Sequence, residues 1–175
     1  MRKIIVFTFF VLFACSNTFG QKFAFIDSEY ILSKLPEYTE AKKQLDALSE
    51  QWQKEAEKKY EAIKKMYQDY EAEEILLTES MKNARMEKII EREEEAKEFQ
   101  KSKFGVEGEL FKKRKELMKP IQEKLYKAVQ ETANVGKYSI IFDKSSGATM
   151  VYSNPKYDKS DDILRRMGVK VGEQR

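Results

Sequence analysis

Residues 37–104 read EYTEAKKQLDALSEQWQKEAEKKYEAIKKMYQDYEAEEILLTESMKNARMEKIIEREEEAKEFQKSKF, which is 68 residues without a glycine or a proline. Glycine and proline usually interrupt regular structure, whereas this stretch is rich in Glu, Lys, Ala, Gln and Met, a composition that favours an α-helix. One straight helix of this length would measure roughly 100 Å, but a compact domain of this size is only about 40 Å across. The sequence therefore predicts a helical arm that projects from a smaller body.

The first part of that body is predicted from the residues before the helical stretch. Residues 22–27 form a short apolar run with β character. Ser28 can cap a brief helix that ends at Leu32. Pro36 then begins the long helix, since proline suits the first helical turn.

The second part of the body is predicted near the other end of the sequence. Residues 138–143 and residues 148–152 have the pattern of a β-hairpin with a four-residue turn between them. Ser160 can cap a last amphipathic helix, which continues through Arg166 and ends at Gly168.

These two parts must meet in one small sheet, because a lone strand cannot satisfy its backbone groups and a two-stranded hairpin is only marginally stable. The helical stretch must then turn back as an antiparallel helical hairpin, with legs on the order of 60 Å or more. We place the reversal at residues 76–80. Gly105 and Gly108 can absorb the extra length of the return leg as a loop, and Pro120 should kink that leg.

Two apolar stripes at helical spacing support the hairpin. The stripe of the outgoing leg consists of Ala41, Leu45, Leu48, Trp52, Ala56, Tyr60, Ile63, Tyr67 and Tyr70. The stripe of the return leg consists of Met118, Ile121, Leu125, Ala128 and Thr132, with the steps of three and four that are typical of a coiled-coil seam. We interpret Tyr60, Ile63, Tyr67 and Tyr70 as side chains that join the two legs.

Residues 1–20 have the pattern of a secretory signal. A positively charged start precedes an apolar run of about eleven residues, which is too short to span a bilayer, and small residues before Gln21 provide a cleavage site. The alternative is a lipoprotein signal that leads to Cys15. Either pattern predicts export from a bacterial cytoplasm, and the first predicts a periplasmic protein.

The residues that are missing exclude several classes of chemistry. Cys15 is the only cysteine, and the sequence contains no histidine. There is no phosphate-binding loop, nucleophile motif or metal-ligand spacing, so we predict that the protein is not an enzyme and has no catalytic residues, cofactor or metal. Charged residues make up 36% of the chain with both signs mixed along it, which indicates solvated helices and no nucleic-acid partner.

The fold class is therefore α+β, with a small β-sheet body and a long helical-hairpin, coiled-coil arm. The predicted regions are the signal peptide 1–20, the first strand and short helix 21–35, the hairpin 36–134, and the β-hairpin with the last helix 135–175. Both faces of the predicted strands are apolar, and the chain has too little else to cover them, so we infer an oligomer whose sheets pack together. The candidate residues of this oligomer body are Phe23, Phe25, Ile26, Ile140, Ile141, Phe142, Met150 and Tyr152.

The tip of the arm is the candidate site for binding other proteins, since exposed apolar groups with flexible methionines suit promiscuous contacts. The candidate residues are Leu76, Leu77, Met81, Met86, Tyr70 and Phe104. The basic residues 112–115 form either an ordinary solvated helix face or a weak contact with an anionic membrane or lipopolysaccharide.

Three stretches resemble a known family, the periplasmic chaperone Skp, also called OmpH. Residues 23–32 resemble the family's first strand and short helix. Residues 138–152 with 161–164 resemble its last hairpin and helix, and residues 108–111 with 118–122 resemble the return leg of members that have an added turn. The resemblance implies a jellyfish-like homotrimer with three helical tentacles around a cavity. It also implies an ATP-independent holdase for unfolded outer-membrane proteins in the periplasm.

One feature departs from the family, because its better-known members have strongly basic tentacles. Residues 53–103 hold 12 Lys or Arg and 14 Asp or Glu, a net charge of −2. Overall attraction to acidic proteins or lipopolysaccharide is therefore weakened. The alternative function is a structural coiled-coil adaptor or spacer that binds one folded partner. A prefoldin-like cytoplasmic chaperone is a third possibility, which cleavage of the first twenty residues would exclude.

Overall fold

The computed structural model describes residues 21–147 and 150–171, so the predicted signal segment 1–20 lies outside the described residues. The elements in chain order are β1 (Phe23–Ile26), α1 (Ser28–Ser33), α2 (Pro36–Glu73), a 3₁₀ turn (Glu74–Leu76), α3 (Glu79–Phe104), α4 (Glu109–Gly136), β2 (Ile140–Asp143), a second 3₁₀ turn (Pro155–Tyr157) and α5 (Ser160–Arg166). The chain divides into two units. The hairpin unit is Ser33–Lys124, and the sheet unit comprises the described residues of Met1–Leu32 and Leu125–Arg175.

The sheet unit is built on a parallel pair of strands, β1 and β2. Phe23 lies opposite Ile140 and Phe25 lies opposite Phe142. The backbone N–H of Ser139 donates to the carbonyl of Lys22 at 2.8 Å, just before the paired residues. The predicted pairing of the first strand with the distant segment 138–143 is therefore confirmed.

The prediction of a second hairpin strand at residues 148–152 is wrong for the part of it that the structure describes. Met150–Tyr152 forms no strand, while residues 148 and 149 lie outside the described part. The Asp143 carboxylate accepts hydrogen bonds from both Ser28 and Ser145, which ties the turn after β2 to the start of α1. The outer edge of β1 is occupied instead by a later segment, since Phe25 forms a parallel bridge with Asp158.

Two helix caps also differ from the predicted ones. The Asp27 carboxylate accepts from the backbone N–H of Tyr30 at 2.9 Å, so Asp27 caps α1 and Ser28 is its first residue. The N-cap of α5 is Lys159, which makes no side-chain capping bond, while Asp158 accepts from both the backbone N–H and the hydroxyl of Ser160, the first residue of α5. The Ser160 hydroxyl oxygen accepts from the backbone N–H of Asp27 at 2.9 Å, and thereby links α5 to the end of β1.

The core of the sheet unit is small and comes from both ends of the chain. Its buried residues are Ala24, Phe25, Ile26, Ile31, Ala128, Thr132, Ser160, Ile163, Leu164 and Met167. Ala128 and Thr132 belong to the predicted stripe of the return leg, and both are buried as that stripe requires.

The hairpin unit consists of α2, which starts at Pro36 as predicted, and the leg that returns beside it. The reversal lies at residues 74–78, within two residues of the predicted place. The leg returns as α3, breaks at Gly105–Gly108 as predicted, and continues as α4. The helix α4 runs on through Pro120, and the predicted kink stays a prediction.

The glycine break compensates for unequal legs. Between the contacts Trp52–Phe104 and Glu37–Lys124, the outgoing leg uses 15 residues (37 to 52) and the return leg uses 20 (104 to 124). A side chain at Gly105 would clash with the carbonyl oxygen of Lys101. A Cβ at Gly108 would lie 2.9 Å from the carbonyl oxygen of Gly105. Only glycine therefore fits these two turns of the backbone.

Replacement of Asp143 by Asn should destabilise the sheet unit by about 1–2 kcal/mol at neutral pH, because charge-assisted hydrogen bonds from Ser28 and Ser145 are weakened. Partial burial alone would raise the pKa of Asp143, but those hydrogen bonds hold it below its ordinary value of 3.8. The stabilisation is therefore present above that value and is lost as the pH falls through the lower folded pKa.

Urea unfolding of the wild type and Asp143→Asn, from neutral pH down to about pH 3, measures this difference. The stability gap between the two proteins should narrow at the acidic end. Asp46→Asn, at an exposed position of α2, is the control and should show no such gap. A gap for Asp143→Asn that is the same at every pH would contradict the assignment.

Candidate functional site

The reversal of the hairpin carries the most exposed apolar side chains near the predicted site. Ile75 is 96% exposed and Leu76 is 83% exposed, while Met81 at the start of α3 is 49% exposed. The hydroxyl oxygen of Thr78 accepts from the backbone N–H of Met81 at 3.3 Å and caps α3. We call Ile75, Leu76 and Met81 the tip patch. The cap holds the start of α3, and the backbone N–H of Leu77 donates to the carbonyl of Glu74 at 3.3 Å across the 3₁₀ turn, while the side chains of the tip patch are exposed.

Charged side chains next to the tip patch are paired with one another. Arg85 contacts Glu73 across the two legs at 2.7 Å. Lys82 lies 3.3 Å from Glu79 and 3.9 Å from Glu74, and its hydrogen bond to Glu79 raises the pKa of Lys82. Residues 71–85 hold four glutamates against Lys82 and Arg85, a net charge of −2, so the tip does not attract an acidic ligand and contacts there must come mainly from apolar surface.

Below the tip, a buried cluster joins the two legs. Ile63 of α2 packs with Ile89 and Ala96 of α3, and the latter two are each only 1% exposed. The partly buried side chains of Met66, Tyr67 and Tyr70 pack against these three residues. We call this group the seam cluster.

Two tyrosine hydroxyls add polar links between the legs. Tyr67 donates to Glu93 at 3.0 Å, and this hydrogen bond together with burial raises the pKa of Tyr67. Tyr60 donates to Gln100, also at 3.0 Å. With the seam cluster, these bonds confirm that the tyrosines of the outgoing stripe join the two legs.

The seam continues to the end of α3 through aromatic contacts. The ring of Phe104 meets that of Trp52 edge-on at 6.3 Å between centroids. The Lys103 ammonium lies 4.9 Å from the Trp52 ring and 5.9 Å from the Phe99 ring, within the range of cation–π attraction. Phe104 is thus part of the joint between the legs.

The structure separates the six predicted protein-binding residues into two groups. Leu76, Leu77 and Met81 lie together at the tip, where Leu77 is half-buried. Tyr70, Met86 and Phe104 are half-buried along the legs, and two of them pack within the seam as described.

Sequence reasoning missed Ile75, the most exposed member of the tip patch. The sequence feature that could have identified it is the run of three apolar residues, 75–77, where the apolar residues no longer recur at helical spacing. It also missed Val106, which is fully exposed in the glycine loop, and Ile90, which is 48% exposed on α3.

The sheet unit presents a second exposed apolar surface. Phe23, Ile140 and Phe142 are each close to half exposed, and the rings of Phe23 and Phe142 lie 6.5 Å apart. We call these three residues the sheet face. Of the other predicted oligomer residues, Phe25 and Ile26 are buried within the chain's own core, Ile141 and Met150 are half-buried, and Tyr152 is 80% exposed.

The remaining candidate features are the basic residues 112–115, a metal site and a membrane-spanning helix. The basic residues 112–115 are all exposed, and Lys113 pairs with Glu116 at 2.8 Å. Across the described ranges, acidic residues, histidines and cysteines form no group that could hold a metal ion. None of the helices in the same ranges is both long and apolar enough to cross a membrane.

Comparisons with known proteins agree with this architecture. The sequence model of the family described as "Outer membrane protein (OmpH-like)" matches residues 22–167. The fold is similar to that of a proposed OmpH-like outer membrane chaperone from Caulobacter crescentus CB15, with a TM-score of 0.67 and 12% sequence identity. The similarity covers 85% of this chain and 84% of the other, and at this identity it concerns the fold alone. No curated protein matches the sequence.

Replacement of Ile89 by Ala should destabilise the hairpin unit by about 2–4 kcal/mol, because it removes a fully buried side chain from the seam cluster. Ile90→Ala is the matched control, since the neighbouring residue is half exposed and should change stability by less than about 1 kcal/mol. Both substitutions replace isoleucine by alanine in the same helix and so change the helix propensity equally. The difference between their effects on stability therefore measures the loss of packing. Urea unfolding followed by helical circular dichroism measures it, and equal effects would refute the proposed seam.

Proposed function

The chain belongs to the OmpH-like family of outer membrane proteins, and on this premise we propose that it is an ATP-independent chaperone that holds unfolded outer-membrane proteins. The observation that carries the proposal is the tip patch, where Ile75 and Leu76 are almost fully exposed on a hairpin held by a buried seam. The structural neighbour from Caulobacter crescentus shows that the fold of this chain is similar to that of a proposed OmpH-like outer membrane chaperone.

The tip patch has the physical properties that a holdase needs. When an unfolded chain covers the adjacent exposed Ile and Leu side chains, the complex is stabilised by roughly 25 cal/mol per Å² of apolar surface removed from water. Such contacts are weak and have no required direction, so a client stays soluble without being forced into one shape. The seam keeps the two legs together while the tip is occupied, and release needs only a better place for the client's apolar surface.

The sheet face supports an oligomer as the working form, and the family resemblance implies that it is a homotrimer. Phe23, Ile140 and Phe142 expose apolar surface next to a core that is too small to be stable by itself. Packing of the sheet faces of three copies would remove that surface from water. One hairpin from each copy could then surround a client, as the family resemblance implies.

Export to the periplasm is part of the same proposal. We place cleavage after Gly20, so that the mature chain begins at Gln21, and regard lipid attachment at Cys15 as the alternative. The chain is proposed to act without enzymatic chemistry. The basic residues 112–115 provide at most a weak contact with an anionic membrane or lipopolysaccharide.

The holdase activity can be measured by light scattering when a urea-unfolded outer-membrane barrel protein is diluted into buffer with rising amounts of the mature chain. The wild type should suppress aggregation. The double variant Ile75→Ser/Leu76→Ser should need about tenfold more protein for the same effect, the change expected for a loss of about 1.4 kcal/mol of binding free energy. Its stability should not fall, because both side chains are exposed.

Ile90→Ser is the matched control for that experiment, because it removes a half-exposed isoleucine of α3 outside the tip. Full activity in the double variant would show that the tip assignment is wrong, while the holdase role would stand. Failure of the folded wild type to suppress aggregation at large excess would overturn the holdase role. The structural adaptor that binds a folded partner would then be favoured.

The oligomer is tested by sedimentation equilibrium of the wild type and of Phe142→Glu. The wild type should have the mass of three chains, and the variant should dissociate, because a carboxylate in a covered apolar face is costly. Tyr126→Glu, at a 69% exposed position of α4, is the control and should leave the mass unchanged. A wild-type monomer at high micromolar concentration would contradict the trimer, and circular dichroism shows whether the variant is folded.

A further inference from the structure

We propose that Gln21 becomes the N-terminal residue after export and that it cyclises to pyroglutamate. This inference rests on the cleavage after Gly20 that forms part of the proposed function. Glutamine is the residue whose own side-chain amide can reach its α-amine to close a favourable five-membered ring. The sequence places it directly after the predicted cleavage site.

The reaction balances without any other reactant. The lone pair of the α-amine attacks the side-chain amide carbon, Cδ, and a new C–N bond closes the lactam. The bond from Cδ to the side-chain nitrogen breaks, and this nitrogen leaves as ammonia after taking up a proton from the amine. Only the unprotonated amine attacks, and an α-amino group with a pKa of about 7.7–8.0 supplies a useful fraction of it near neutral pH.

The structure leaves Gln21 free to react. It is exposed and lies outside β1, which begins two residues later. The carbonyl of Lys22 accepts from the backbone N–H of Ser139 at 2.8 Å, so the chain is anchored to the sheet from Lys22 onward. Within residues 21–147 and 150–171, Gln21 has no hydrogen-bond or ion-pair partner that would hold its side chain away from its own amine.

The position of Gln21 gives the modification a physical consequence. An uncyclised end would place an ammonium beside the like charge of Lys22 and two residues before Phe23, which belongs to the sheet face. Covering that face would require partial desolvation of the ammonium, which costs free energy when no carboxylate pairs with it. The neutral lactam removes this cost and leaves no free α-amine for an aminopeptidase.

The test is mass spectrometry of the protein isolated from the envelope of its own host. Digestion after glutamate should release the N-terminal peptide 21–29, with a mass lower by one ammonia than its sequence requires. Fragment ions should place the loss on Gln21, and pyroglutamyl peptidase should remove that residue. Gln21→Ala, produced in the same host, is the matched control. Alanine is a small residue that suits the position after the cleavage site, and it has no side-chain amide that could cyclise.

The outcomes separate this inference from the proposed function. A peptide that begins at Gln21 with a free amine would overturn the cyclisation and leave export intact. The same ammonia loss in Gln21→Ala would place the reaction elsewhere and also overturn it. Retention of residues 1–20, or a lipid on Cys15, would overturn the proposed cleavage together with the cyclisation.

Discussion

The parallel pairing of β1 with β2 is the constraint on which the rest of the structure depends. Parallel strands cannot be joined by a tight turn and need a crossover connection. Here the connection between Ile26 and Ile140 contains nearly all of the helical residues. An outgoing helix must therefore be matched by a return leg, and the two legs need a seam. Because the entropy of loop closure grows slowly with length, such a long connection is tolerated once the seam orders it.

Much of this architecture could be predicted from the sequence because each part leaves a local signal. Pro36 marks the start of α2, the apolar stripe marks the buried side of the outgoing leg, and the two glycines mark the break in the return leg. The helix starts were harder to place, because the predicted caps Ser28 and Ser160 are each the first residue of their helix, with Asp27 capping α1 and Lys159 at the N-cap of α5. The two serine hydroxyls make tertiary hydrogen bonds instead, Ser28 with Asp143 and Ser160 with Asp27.

The candidate site was predictable only in part, for a related reason. Apolar residues at the reversal of a helical hairpin can either close the seam or face water, and their spacing alone does not distinguish the two. Leu77 is half-buried, whereas Ile75 and Leu76 in the adjoining turn are almost fully exposed. The second strand predicted for the β-hairpin is absent for a similar reason, because an apolar segment near a turn is compatible with a strand but does not by itself make the segment pair with its neighbour.

The distribution of charge decides what kind of binding this hairpin can support. The net charge of −2 over residues 53–103 gives no long-range attraction to an acidic polypeptide. Near the tip, Glu73 is paired with Arg85, but Lys82 is shared between two glutamates, so the local charge is negative as well. With no positive charge in excess at the tip, the exposed Ile75 and Leu76 are the main source of binding free energy in the proposed function. In the proposed function, an apolar contact of this kind would strengthen with the amount of unfolded apolar surface that a client exposes, and it would disappear when the client buries that surface.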